Sequence, residues 1–132
     1  MAKEFTNILV VDDNDDLRWT LGNLFSDCGY SVRTAADGFS ALTAMVSELP
    51  DVLISDLEMP RMSGFELLFV VRERFPEVKV IAMSGIYSGN GVPSGVVADA
   101  YYPKGGDSNC CLLRLVEAVI GRDRSHTSWR TV

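Results

Sequence analysis

The chain has 132 residues, 47% of them hydrophobic and 23% charged, with a formal net charge of −6. That is about one domain, with enough apolar surface for a core that needs neither metal nor disulfide. No apolar run reaches the roughly 20 residues of a membrane span, no signal leader opens the chain, and the acidic balance argues against nonspecific nucleic-acid binding. A cytoplasmic domain without membrane or direct nucleic-acid contact is expected. The single histidine, His126, excludes Ser-His-Asp triads, Cys-His pairs and multi-His metal sites, so chemistry must come from carboxylates, hydroxyls and lysine. Cys28, Cys110 and Cys111 give neither a disulfide framework nor a CxxC zinc site, and read as small apolar residues on helix faces.

In chain order, the apolar run Ile8-Leu9-Val10-Val11 predicts a buried strand that ends at Asp12. Leu17, Leu21, Leu24, Phe25 and Cys28 recur at helical spacing, with Gly29 placed to stop the helix. Residues 30–35 alternate as an edge strand does. Phe39, Leu42, Met45, Val46 and Leu49 predict a second helix with these positions facing the core, ended by Pro50. Val52-Leu53-Ile54 is a third apolar strand, two residues short of Asp56. Gly64, Leu68, Val71 and Phe75 mark the next helix, ended by Pro76, and residues 78–83 the next strand, ending at Ser84. Gly89, Gly91, Pro93 and Gly95 would defeat a long helix between residues 86 and 97, leaving at most about two turns from near Val92–Ser94 to Ala98. Ala100-Tyr101-Tyr102 is a short fifth strand. Leu112, Leu115, Val116, Val119 and Ile120 define a last helix, with Asp107 or Ser108 available as its cap.

Strands alternating with helices imply an α/β sheet with right-handed crossovers. In open parallel sheets, ligands sit beyond the carboxyl ends of the strands, and here those ends carry Asp12-Asp13, Asp56, Ser84 and Lys104. Clustered carboxylates repel one another unless a hard divalent cation relieves them, and Mg²⁺ characteristically uses one or two carboxylates together with phosphate oxygens. A carboxylate can also act as nucleophile and become an aspartyl phosphate. Lys104 could neutralise one phosphoryl oxygen and the Ser84 hydroxyl could donate to another. Glu58 and Ile86, two residues beyond Asp56 and Ser84, would border that site. Asn14, Asp15 or Asp16 suits a helix N-cap. A calcium loop is excluded, because Leu17 stands where its sixth-position Gly is needed and Asn23 where its twelfth-position Glu is needed.

These residues resemble the receiver domain of bacterial two-component response regulators. The likeness runs from about Ile8 to Arg122 and rests on Ile8-Leu9-Val10-Val11-Asp12-Asp13, Asp56-Leu57-Glu58-Met59-Pro60-Arg61-Met62-Ser63-Gly64, Met83-Ser84-Gly85 and Tyr101-Tyr102-Pro103-Lys104. It implies a flavodoxin-like, three-layer α/β/α fold with a five-stranded parallel sheet in order 2-1-3-4-5, a receiver domain over 1–122 and a short disordered tail over 123–132. It further implies that Asp56 takes phosphate from a sensor histidine kinase or phosphotransfer protein. Asp13 and Asp56 would ligate Mg²⁺ through carboxylates, Glu58 through its backbone carbonyl, and Asp12 mainly through a metal-bound water. Ser84 and Tyr101 would be the switch pair, the hydroxyl moving toward phosphate as the ring turns inward. The output would be binding to a downstream protein target, with a homodimer left open, and the only catalysis would be self-phosphorylation and autodephosphorylation.

The sequence departs from the family where Gly105 follows Lys104, a position usually held by Pro, so the Lys104–Gly105 peptide is expected to be trans. Pro103 lacks an N–H, which suits a strand at the sheet edge. Two other classes stay open on these residues. A Mg²⁺-dependent phosphohydrolase would carry a second Asp as general acid where this chain has Glu58, and a cap domain, while an unphosphorylated receiver-like interaction module would normally lack one of Asp13, Asp56 or Lys104.

Overall fold

The structure is a computed structural model that describes residues 6–86, 92–104 and 110–131, with side chains of the last helix described over 111–121. Five strands, β1 (Asn7–Val11), β2 (Ser31–Ala35), β3 (Val52–Asp56), β4 (Lys79–Ser84) and β5 (Ala100–Pro103), pair in parallel in the order β2-β1-β3-β4-β5. The helices are α1 (Asp15–Asp27), α2 (Gly38–Ser47), α3 (Gly64–Arg74) and α4 (Cys110–Thr131). This is the expected flavodoxin-like order, with β2 and β5 at the edges.

Strand periodicity sorts the sheet residues onto two faces. Leu9, Val11, Leu53, Val80, Ala82 and Tyr101 pack with Ala41 and Met45 of α2 and Leu67, Leu68 and Val71 of α3. Ile8, Val10, Val52, Ile54, Ile81, Met83 and Tyr102 pack on the opposite face with Leu21 and Phe25 of α1 and Leu112, Val116 and Val119 of α4. Two cores on one sheet make the α/β/α sandwich. The central strand β3 is buried along its whole length, so its terminal Asp56 is held rigidly at the sheet's carboxyl rim.

Local sequence fixes each helix start. Asn14 caps α1 by accepting from the Leu17 N–H at 3.0 Å, and Asp37 caps α2 through the Ser40 N–H at 2.8 Å. Ser63 and Glu66 form a reciprocal capping box on α3. Gly29, with φ of 94°, follows the end of α1 as predicted.

The structure corrects several expectations. In α2 the buried positions are Gly38, Ala41 and Met45, whereas Phe39, Val46 and Leu49 are exposed. An apolar pattern dense enough to suit more than one helical phase hid the true one. Cys28 and Cys111 are exposed rather than packed into helix interfaces. Between β4 and β5, the described residues 92–99 form no helix, which agrees with the expectation of at most a short one there. A turn closes at Pro93–Val96 instead, with Val96 N donating to Pro93 O at 3.2 Å and Gly95 at φ 84°, as a type II turn requires. Gly89, Gly91, Gly105, Asp107 and Ser108 lie outside the described residues, and with them the expected trans peptide after Lys104 and the cap of α4. No helix among the described residues is long and apolar enough to cross a membrane.

Candidate functional site at the carboxyl rim of the sheet

The parallel register brings the strand ends together. β3 and β4 pair Asp56 with Met83, and β4 and β5 pair Ser84 with Pro103, while Lys104 N donates to Ser84 O at 2.8 Å. Asp12 follows β1, where its N–H donates to Ala35 O of β2. Asp12, Asp56, Ser84 and Lys104 therefore leave strand ends whose backbone is anchored to its neighbour.

Asp12, Asp13 and Asp56 present carboxylate oxygens that all lie within 4.8 Å of one another, with Asp12 and Asp56 buried and Asp13 exposed. Oδ1 of Asp12 accepts from the Asn14 N–H at 2.9 Å. The Lys104 ammonium lies 2.8 Å from Asp12 Oδ2 and 3.2 Å from Asp56 Oδ1. Asp12 Oδ2 is buried, and this ion pair answers its charge. Three carboxylates against one nearby ammonium leave an excess of negative charge. Such an all-oxygen donor set fits a hard divalent cation of the Mg²⁺ kind.

Burial is the main reason that the Asp56 carboxyl is pushed up to about 6. The neighbouring Asp12 charge adds to it, and Lys104 together with the Glu58 N–H, 3.4 Å from Asp56 Oδ1, works against it. Burial disfavours the Lys104 ammonium, but hydrogen bonding and attraction from Asp12, then Asp56, outweigh it and hold its pKa above the ordinary lysine value. A carboxylate kept basic in this way is a better nucleophile than a solvated one.

Ser84 is fully buried beside this group. Its hydroxyl donates to both carboxylate oxygens of Glu58, at 2.8 and 2.9 Å, and accepts from the Ile86 N–H at 3.0 Å. The Ile86 side chain is 69% exposed, so that residue meets the site through its backbone. Tyr101 is buried on the α2–α3 face, its phenol donating to Ser84 O at 3.3 Å, so the ring already occupies an inward position. The structure thus gathers Asp12, Asp13, Asp56, Lys104, Ser84, Tyr101 and Glu58 at one rim. The bond between the Glu58 side chain and Ser84 is what sequence reasoning missed, since residues 26 apart give no periodic signal of contact.

The loop beyond Asp56 explains its motif. Gly64, the first residue of α3, donates to Leu57 O at 3.0 Å, and a Cβ there would fall 2.0 Å from the Asp56 carbonyl oxygen. Arg61, at φ 68°, pairs with Asp37 across the loop at 2.8 Å.

Residues 8–101 match the family described as the response regulator receiver domain. The chain is similar to the DNA-binding transcriptional regulator NtrC of Escherichia coli (strain K12), 39% identical over 77 residues, which is 58% of this chain and 16% of that protein. It therefore spans about a sixth of that relative's length. Among solved structures it is similar to the response regulator TrrA from Thermotoga maritima in complex with Mg²⁺–BeF, at TM-score 0.78 and 31% identity over 86% of this chain and 98% of that one. It is likewise similar to a chain of the complex between the histidine kinase ThkA and TrrA, at TM-score 0.75 and 30% identity, covering 86% and 97% of the two chains. With the strand order, the acidic rim and a family match over most of its length, the chain belongs to the response regulator receiver domain family.

Proposed function

We propose that Asp56 is the phosphoryl acceptor of this receiver and that a histidine kinase or a phosphotransfer protein is the donor. The observation that carries this reading is the buried, basic Asp56 carboxylate at the end of the central strand, flanked by Lys104 and the Asp12–Asp13 pair. An Asp56 oxygen attacks phosphorus as the bond from phosphorus to the donor's imidazole nitrogen breaks, and the imidazole leaves with that electron pair. Lys104, already 3.2 Å from Asp56, balances charge on a phosphoryl oxygen, and Ser84 can donate to another.

Asp12, Asp13 and Asp56 would hold Mg²⁺, with the Glu58 carbonyl as a further ligand. The ion would supply charge neutralisation to the phosphoryl oxygens. The ThkA–TrrA complex supports a kinase partner. We further infer a cytoplasmic receiver over residues 1–122, beyond which α4 runs on to Thr131, with output through a downstream protein target and catalysis confined to self-phosphorylation and autodephosphorylation.

Intact mass after incubation with acetyl phosphate tests this reading. One phosphoryl adduct is expected with Mg²⁺, none with chelator, and none for Asp56→Asn. Asp13→Ala should lose most Mg²⁺ binding. An adduct of normal yield on Asp56→Asn would overturn the assignment.

A further inference from the structure

The Glu58 carboxylate is the acidic group at the rim that the transfer step leaves without a task. A serine hydroxyl has one proton to give. In the structure that proton is directed at Glu58, whose two oxygens lie 2.8 and 2.9 Å from Ser84 Oγ, while the Ile86 N–H occupies the hydroxyl's acceptor side at 3.0 Å. The rotamer is thus held from both sides. Stabilising a phosphoryl group on Asp56 calls for the same proton. Tyr101 is meanwhile already buried and bonded to the Ser84 carbonyl. One half of the switch pair is set, and the other is turned toward Glu58.

We propose that Glu58 is a positioning residue that holds the Ser84 hydroxyl away from Asp56 and competes with the phosphoryl group for its one proton. The strength of that hold sets how readily the site accepts a phosphoryl group. This rests on the reading of Asp56 as acceptor. A carboxylate beside an anion site also acts by simple repulsion, and the two causes differ in one respect. Repulsion does not depend on the Ser84 hydroxyl, whereas the hold does.

The test is a double-mutant cycle on the whole chain, using Mg²⁺ with beryllofluoride as a phosphoryl mimic that is not hydrolysed and calorimetry as the readout. Glu58→Ala should tighten binding on the order of tenfold in the wild-type background, at the low end of what hydrogen bonds to charged groups contribute. In the Ser84→Ala background the same substitution should change affinity by less than about twofold, the additivity error expected of uncoupled sites. Glu58→Gln, which keeps the shape but weakens the acceptor, should fall between. Equal tightening in both backgrounds would show repulsion alone and overturn the proposal, as would unchanged or weaker binding of Glu58→Ala. Asp56→Asn separates the two levels. If it still binds beryllofluoride normally, the acceptor assignment itself fails; if it loses binding while the cycle shows no coupling, only the role of Glu58 fails.

Discussion

At the scale of single residues, the cost of the site is concentrated in Asp56. Its carboxyl is pushed up to about 6, first by burial and then by Asp12, against an ordinary value of 3.8. A raised acid binds its proton more tightly in the folded than in the unfolded chain. The associated stability is therefore fully present below about pH 4 and lost as pH rises through about 6. In chelator, Asp56→Asn should raise stability at pH 8 by about 1–3 kcal/mol, and the gain should shrink as pH falls toward 4. Urea midpoints at pH 8 and pH 4.5 check this, and an equal gain at both would contradict it. The candidate site was legible from sequence because strand ends of a parallel sheet must converge, so Asp12, Asp13, Asp56, Ser84 and Lys104 could be grouped without coordinates. The bond from Ser84 to Glu58 was not legible, since it depends on two rotamers meeting across adjacent loops.

At the scale of elements, hydrophobic runs placed every strand to within a residue or two at each end. Helical phase was harder. With no charged residue in α2, the pattern did not show which apolar positions faced inward, and Phe39 and Val46 turned out to be on the surface. Between β4 and β5, the breakers Pro93 and Gly95 limit any helix as expected, and the described residues 92–99 close a turn with no helix. Arg72 and Val80 N still fasten the end of this segment through Asp99, at 3.1 and 2.8 Å. Backbone amides of residues 94–98 should therefore exchange with solvent far faster than those of β4, whose amides sit inside the sheet. Protection across 94–98 equal to that of β4 would show a helix that the structure lacks. At the start of α3, Gly64 has no room for a side chain against the Asp56 and Leu57 backbone. Gly64→Ala should cost about 1–3 kcal/mol or more, and should lower phosphorylation by displacing Asp56. Wild-type stability measured by chemical denaturation would contradict the tight contact.

At the scale of the whole molecule, a −6 chain gathers the carboxylates of Asp12, Asp13, Asp56 and Glu58 at one rim and answers them with Lys104 alone among the nearby described ion pairs. That imbalance suits a site completed by a divalent cation and a phosphoryl group. The two packed cores hold the strand ends still, while Ser84, Tyr101 and the turn at Pro93–Val96 lie along β4, β5 and their connection, where a change at the rim can reach the surface. Everything at this rim turns on which carboxylate is phosphorylated. Borohydride reduces an acyl phosphate to the alcohol, so treating the chain after phosphorylation with acetyl phosphate and Mg²⁺ should convert the acceptor aspartate to homoserine. Peptide mapping is expected to find homoserine at position 56 alone, whereas homoserine at position 12, 13 or 16, or at no position despite a phosphoryl adduct in the intact mass, would contradict it.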